Sequence, residues 1–496
     1  MQIFQENLVR AWTDYAAGRI DEKTLKGQSA GFGIYQQRDL NAMMRVRRTG
    51  GIVSAADLTA LAQIMRRFAI PLIHLTSRQD LQFHGVRPAD VPAVLEACET
   101  AGFPFRGGGG DTFRNVIVSR NSGLFAASAF DVLPYARSLA RAFSTYDDAY
   151  SLPRKLKIGF ADRIADRALA QSQDLGFVAR MESGRRVFEA YFAGGLGFKP
   201  RLGLKVFDAL PAEDCTRLAV ALVRLFREKG CRTNRAHARI RFLRDDFGDE
   251  PLSRMLRDAF ATVTCEPASV GDPEVLSVPS LPPEPLPADA HFAVWRALCA
   301  ERLVGNRFAV RLLVPFGNFT ADELERLVVT LARCGITRYQ IANARDLVIA
   351  PVDESQLGSL YRVLRTALKD RDYTLKSYAG HVVTCIGGGV CRTGMCDSPA
   401  FGRAVAADLD RFLPADTPER LALARTVLDE TSISGCPNGC TRACTARFGF
   451  ICRSAGDLRE LVPFVSPDGN APGALEPAAA QSVSATVAAL AARHNA

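Results

Sequence analysis

Much of what could identify a chain at a glance is missing from these 496 residues. No run of 18 or more apolar residues occurs, so no membrane-spanning helix is expected. The opening stretch, residues 1–23 (MQIFQENLVRAWTDYAAGRIDEK), carries acids early and has no apolar segment of a secretory leader, which predicts a cytoplasmic protein. No glycine fingerprint for a flavin or nicotinamide nucleotide is present. RGGGGD at 106–111 lacks the GK[ST] ending and the following helix of a phosphate loop, and reads as a flexible turn. No Lys/Arg block with interleaved aromatics stands out, which makes nucleic acid a poor partner. What remains is an ordinary globular composition, 48% hydrophobic and 23% charged, long enough for roughly three domains with large buried cores.

Charge and cysteine narrow the reading. Lys+Arg 62 against Asp+Glu 53 leaves +9, which favours an acidic partner: a polyanionic cofactor, an anionic substrate or an acidic carrier protein. Of 13 cysteines, six are scattered singly, whereas Cys385, Cys391, Cys396, Cys436, Cys440, Cys444 and Cys452 crowd into 68 residues. In a reducing compartment such clustering points to metal ligation rather than disulfides. Cys385-x5-Cys391 (CIGGGVC) and Cys436-x3-Cys440 (CPNGC) form two local pairs. Zinc knuckles use tighter spacings, and three consecutive glycines make a wide loop that suits a larger inorganic object. The spacing favours a [4Fe–4S] cluster, with zinc or unliganded cysteines as alternatives. Cys396, Cys444 and Cys452 read as buried small hydrophobes.

An internal repeat runs through the chain at an offset of 266, which carries Arg45 onto Arg311, Ser54 onto Thr320 and Leu58 onto Leu324. Each copy reads strand, helix, strand, helix. Ser54 and Thr320 are candidate N-caps, with Asp57 and Glu323 three residues on. Leu58, Leu61, Met65 and Phe68 then recur at helical spacing, as do Leu324, Leu327, Val328 and Leu331. Further helices are expected around 88–101 and 354–369. The pattern predicts two related α+β units paired about a pseudo-twofold axis. Seven prolines in 266–289 predict an extended linker wrapped over or between domains, and a short Ala-rich helix is expected at the C-terminus.

Basic residues gather on predicted strands. Arg45 and Arg47 lie two apart on one face, and Arg78, Gln82 and His84 alternate along SRQDLQFH. Arg114 opens another strand, and Lys155 and Lys157 share a face that Arg154 does not. Each set alone reads as a solvated strand face. Together they suit an oxyanion, which Arg grips in bidentate fashion, or a cofactor with many carboxylates.

These residues carry a family resemblance. MMRVRRTGG, HLTSRQDLQFHG, GDTFRNVIV, LPRKLK, CIGGGVC and SGCPNGC, in that order across about residues 30 to 455, resemble the sirohaem-containing nitrite and sulfite reductases. The resemblance implies a [4Fe–4S] cluster on Cys385, Cys391, Cys436 and Cys440, with Cys440 also ligating the sirohaem iron. It implies that Arg45, Arg114, Lys155 and Lys157 bind the substrate anion and that Arg47, Arg78, Gln82 and His84 contact sirohaem. The implied α+β fold has two ferredoxin-like repeat units related by a pseudo-twofold axis, plus two α/β domains that bind sirohaem and cluster. On that pattern residues 1–105 hold the first ferredoxin-like unit, 106–285 the first α/β domain and its linker, 286–375 the second ferredoxin-like unit and 376–496 the cluster domain. The implied reaction is six-electron reduction of sulfite by a monomer taking electrons from an acidic ferredoxin or flavoprotein. Nitrite reduction is the alternative, ahead of a precorrin-3B synthase-like enzyme or a non-catalytic, metal-stapled anion binder. Lys at 157, where nitrite reductases tend to carry Asn, favours sulfite.

Overall fold

Both predicted capping boxes form. Asp57 N–H donates to Ser54 Oγ at 3.0 Å while Ser54 N–H donates back to the Asp57 carboxylate at 2.9 Å. Glu323 N–H donates to Thr320 Oγ1 at 3.3 Å and Thr320 N–H to the Glu323 carboxylate at 2.9 Å. In the computed structural model, which describes residues 2–197, 199–271, 274–368, 381–412, 431–443, 446, 448–455 and 458–465, these boxes start the helices Ala55–Arg67 and Ala321–Ala332. Leu58, Leu61 and Met65 are buried in the first and Leu324, Leu327, Val328 and Leu331 in the second. Phe68 lies just past its helix and is only half-buried.

The repeat holds element by element. The strand Ala42–Arg47, the strands Leu72–Leu75 and Asp80–Val86 and the helix Val91–Thr100 recur as Arg307–Leu312, Arg338–Ile341, Leu347–Asp353 and Leu357–Ala367. Short strands swap partners between copies: Asn318–Phe319 pairs antiparallel with the strand Leu72–Leu75, and Ile52–Ser54 lies beside Arg338–Ile341. A reciprocal exchange of this kind is what a pseudo-twofold arrangement of two ferredoxin-like halves requires.

The chain forms two units. The first comprises residues 1–36, 40–52 and 78–275. It holds the paired strands Ile34–Gln36, Ala42–Arg47 and Asp80–Val86 and a five-stranded sheet. In that sheet Phe113–Val118, Leu156–Ala161 and Leu175–Glu182 are parallel, and Arg185–Phe192 and Leu204–Pro211 add antiparallel strands. The helices Leu133–Thr145 and Cys215–Lys229 bury their apolar residues in one core with the inner sheet face, where Phe160, Phe177 and Phe188 meet.

The second unit comprises residues 37–39, 53–77 and 276–496. Its sheet runs Ala300–Arg302, Arg307–Leu312, Leu347–Asp353, Arg338–Ile341, Ile52–Ser54. A further sheet places Val383–Thr384, Thr431–Ser434 and Phe448–Ala455 parallel, then adds antiparallel Leu458–Val465. From residue 276 to 288 the proline-rich stretch has no helix or strand, as expected of a linker, and is laid on this unit: Gln356 Nε2 donates to the Pro279 and Leu281 carbonyls at 2.7 and 3.1 Å, and Ser359 Oγ to Pro282 at 2.8 Å. The expected C-terminal helix and Cys444 lie outside the described residues. Among the described residues no helix is long and apolar enough to cross a membrane.

Candidate functional site

Strand register assembles the basic cluster of the first unit. Arg45 stands opposite Gln82 and Arg47 opposite Asp80 on the neighbouring antiparallel strand. With the Gln82 amide oxygen turned toward Arg45 it accepts from Nε at 3.0 Å and Nη2 at 2.8 Å. His84, two residues on, is buried on the same strand. Arg78 is not on the strand; it sits in the turn before it, where Nη1 donates to Gln173 Oε1 at 2.8 Å and Nη2 to the Asn115 carbonyl. The alternation along SRQDLQFH therefore begins only at Asp80. The turn is fixed by Gln79, whose amide bonds to the carbonyl and the N–H of Val118 at 3.0 and 2.9 Å.

The glycine run at 107–110 is a buried backing for these arginines rather than a loose turn. Arg114 donates to the carbonyls of Gly109, Thr112 and Gly110 at 2.8, 2.9 and 2.8 Å, and the Gly108 and Arg106 carbonyls accept from Arg45 and Arg47. A Cβ on Gly109 would come within 2.0 Å of the Ala30 carbonyl oxygen, so only glycine fits there. Lys155 and Lys157 flank Leu156, which pairs with Phe113 beside Arg114, and Lys157 N–H donates to Asp174 at 2.8 Å. Arg154 faces elsewhere and pairs with Asp111 at 3.0 Å.

The charge balance of this cluster is uneven. Arg45, Arg47, Arg78 and Arg114 all act on one buried carboxylate, Asp80, whose pKa burial raises against their attraction. Asp174, fully buried, is held by Arg239 at 2.9 and 2.8 Å. Burial lowers Arg78 to about 10 and Arg114 to about 9, with neighbouring arginines adding to the shift, so both stay charged at neutral pH. Arg47 Nε is buried with no hydrogen bond. Five guanidiniums against two carboxylates is a site that wants an anion. A macrocycle with many carboxylates and a small oxyanion both fit it.

The cysteine loops stand at the carboxyl ends of the short parallel strands in the second unit. Cys385 comes directly after the strand Val383–Thr384, and Gly435–Cys436 after Thr431–Ser434. Cys385 Sγ receives the Gly435 N–H at 3.2 Å and lies 3.0 Å from Ser398 Oγ; Cys391 Sγ lies 3.2 Å from Thr393 Oγ1. Gly388 N–H donates to the Cys396 carbonyl at 2.7 Å, and a Cβ on Gly394 would come within 2.6 Å of Gly388 Cα, so the first loop folds tightly against residues 394–396. Arg38 straps it, donating from its backbone to Val390 at 3.2 Å and from Nη2 to Gly394 at 2.9 Å. Ser77, one residue before Arg78, donates to the Cys440 carbonyl. Cys436 is buried, which raises its thiol pKa, and Cys385 and Cys391 raise it further; Cys440 is exposed. The thiols thus share one neighbourhood and already receive donors. Among the described residues no three His, Cys, Asp or Glu side chains close on a single-ion site. A four-iron cube, which spreads its thiolates over several metal atoms, suits this set better than zinc. Cys396 and Cys452 are buried free thiols, as expected, and share a side-chain hydrogen bond.

Sequence reasoning missed Arg239, Asp174, Gln173 and Asn115, which brace the basic cluster. Asn115 Nδ2 donates to the carbonyls of Arg48 and Arg78 at 2.9 and 3.1 Å. The two-residue alternation of Arg239 and Arg241 in HARIRF was the available signal for the first.

An α+β chain with an anion-seeking basic cluster and a cysteine centre is the framework of a cofactor-dependent anion reductase, and comparison with known proteins gives the family. The nitrite and sulphite reductase 4Fe-4S domain matches residues 109–262, and the nitrite/sulfite reductase ferredoxin-like half domain matches residues 35–101. The chain is 26% identical over 467 residues to a sulfite reductase [ferredoxin] of Mycobacterium tuberculosis, covering 90% of this chain and 79% of the relative. It is 25% identical over 419 residues to a ferredoxin–nitrite reductase of Synechococcus elongatus, covering 82% and 76%. It is 27% identical over 487 residues to a sulfite reductase [NADPH] hemoprotein beta-component of Acidithiobacillus ferrooxidans, covering 86% and 79%. The solved structure of the Mycobacterium tuberculosis NirA protein shares the fold with a TM-score of 0.75 at 22% identity, covering 94% of this chain and 87% of that one. These matches support the sirohaem and [4Fe–4S] nitrite and sulfite reductase family for this chain, an oxidoreductase with those two cofactors.

Proposed function

We propose that this chain reduces sulfite to sulfide in a cytoplasmic setting, taking six electrons from an external acidic donor of the ferredoxin or flavoprotein kind. Six electrons and six protons convert the anion to sulfide and three waters. The observation that carries this reading is the surplus of buried guanidinium charge around Asp80. Sirohaem and the cluster, when bound, supply the electron path and a metal that takes the substrate.

The chain's own residues do the rest. Cys385, Cys391, Cys436 and Cys440 would hold the cluster, and Cys440 would also be the chain's ligand to the sirohaem iron. Arg47, Arg78, Gln82 and His84 contact the macrocycle, the guanidiniums offsetting its carboxylates. Arg45, Arg114, Lys155 and Lys157 bind the oxyanion, weaken its hold on oxygen by neutralising charge, and deliver protons as water leaves. Arg114 is pre-oriented for this by its three carbonyl partners, so little reorganisation accompanies the reaction. The four domains implied by the motifs, at 1–105, 106–285, 286–375 and 376–496, belong to the same reading, as does a monomer.

Nitrite is the second substrate reading, favoured by the likeness to a ferredoxin–nitrite reductase. Turnover with a reduced dye separates the two: sulfide from sulfite at higher kcat/KM is expected, and ammonia from nitrite without sulfide would overturn the choice. Lys157→Asn is expected to move the ratio of the two kcat/KM values toward nitrite by a few-fold, and by no more than about tenfold, for one charge-assisted contact. An unchanged ratio removes Lys157 as discriminator.

A further inference from the structure

Arg345 belongs to none of the motifs that carry the function. It occupies the turn between the strands Arg338–Ile341 and Leu347–Asp353, with φ 69° and its N–H donated to the Ala342 carbonyl at 2.9 Å. Only 2% of the residue is exposed. Gly317 closes over it, since a Cβ there would stand 3.1 Å from Arg345 Cβ and 2.9 Å from the Leu75 carbonyl oxygen.

The side chain is buried without being paired. Nε and Nη1 are enclosed and make no hydrogen bond. The adjacent carboxylate, Asp346, is committed to Arg311, which grips it from Nε at 2.9 Å and Nη2 at 2.8 Å. Burial lowers the Arg345 guanidinium to about 10, and the opposing pull comes from Cys385 first, then Asp346, then Cys440. It remains cationic at neutral pH. A buried cation with idle donors is costly unless an acceptor completes it. The turn that carries it is tied to the second cysteine loop: Asn343 Nδ2, two residues before Arg345, donates to the Ser77 carbonyl at 3.1 Å, and the Ser77 hydroxyl donates to the Cys440 carbonyl.

We propose that Arg345 is a positioning residue for the iron–sulfur centre, a buried guanidinium with idle donors on a turn tied to the Cys440 loop, and that it raises the cluster's reduction potential. The proposal rests on the reading of the four cysteines as ligands. The physical reason is charge. One-electron reduction adds a negative charge to the cluster, and a fixed cation in a poorly solvated surrounding stabilises the reduced form more than the oxidised one. Donors directed at cluster sulfurs act in the same direction. The transfer itself needs only the external electron donor already named; the arginine is neither oxidised nor reduced.

The test is the cluster's midpoint potential in the cofactor-loaded full-length protein, together with the electron paramagnetic resonance of the reduced cluster. Arg345→Gln is expected to keep its iron and become harder to reduce. At a fixed potential the ratio of reduced to oxidised cluster falls about tenfold, which for one electron is about 59 mV. Arg345→Lys, which keeps the charge, is expected to recover most of that shift. An iron-loaded Arg345→Gln with an unchanged midpoint overturns the proposal, and so does loss of iron from both variants, which marks the side chain as a structural prop. Cys385→Ala is the control for the underlying reading. If it retains a native cluster signal, the cysteine assignment fails; if it loses the cluster while Arg345→Gln titrates as native, the arginine proposal alone fails.

Discussion

The α/β sheet of the first unit and the terminal sheet of the second run in the same order, two parallel steps and then an antiparallel one. Even the first hydrogen bond past the opening strand is shared: Ser119 N–H donates to the Phe160 carbonyl at 2.9 Å, and Cys385 N–H to Ile433 at 3.2 Å. After the next strand the first sheet has Asp162–Arg163 and the other has Gly435–Cys436. In the first, Asp162 accepts from Gly123 N–H at 2.9 Å and from the Ser128 hydroxyl. Arg163 pairs with Asp166 at 3.0 Å and lies 3.8 Å over the Phe125 ring. That strand end is sealed by charge and an aromatic face, where its counterpart presents thiols. The cations proposed to bind the anion instead sit near the starts of the first sheet's strands, at Arg114 and Lys157. One framework thus hosts two chemistries, and side chains at equivalent backbone positions decide which.

The sharpest way to break this comparison is to exchange losses. Cys436→Ala is expected to remove the cluster altogether, read as loss of bound iron and visible colour. Arg163→Ala, one step past the same strand end in the other sheet, is expected to keep full iron content and lower unfolding stability by about 1–2 kcal/mol through its ion pair and ring contact. Iron loss from both, or from neither, would erase the distinction.

Next in size is Arg114→Ala. Removing a pre-oriented cation from the developing charge is expected to lower kcat/KM by about 100-fold or more while leaving iron content native; a drop under threefold would assign Arg114 to structure alone. Arg114 also supplies a pH signature. Its folded pKa is depressed to about 9, so its charge is complete below that value and lost above it. An anion binds the protonated form, so sulfite affinity of the oxidised protein should fall about tenfold per pH unit above 9 until the complex itself deprotonates. Affinity flat from pH 8 to 10.5 contradicts this. The smallest effect tests the repeat: Ser54→Ala and Thr320→Ala should each cost about 1 kcal/mol in a denaturant titration, since both caps make the same two bonds. A large inequality would show the copies to be alike in sequence only.

Legibility tracks the range of the interactions. The capping boxes, the helix faces and the offset of 266 are local or periodic, so Ser54, Thr320 and the strands after them are readable. The cysteine pairs are visible because each is closed by a short loop. Arg78 lies two residues short of the strand that its alternation predicts, because the turn is imposed from outside by Gln79 bonding to Val118. Asp174 with Arg239, and the Arg345 turn tied through Ser77 to the Cys440 loop, join residues tens of positions apart with no spacing rule between them. The glycine run reads as loose because the arginine side chains that fill its carbonyls come from Arg45, Arg47 and Arg114.

Iron and tetrapyrrole analysis of the purified protein, native beside Cys440→Ser, tests the central claim most directly. The account predicts a coloured native protein holding a four-iron cluster together with sirohaem, and a Cys440→Ser protein whose haem absorption and cluster resonance both change because one sulfur serves both centres. A native protein without iron, or a Cys440→Ser protein with both spectra unaltered, would contradict it.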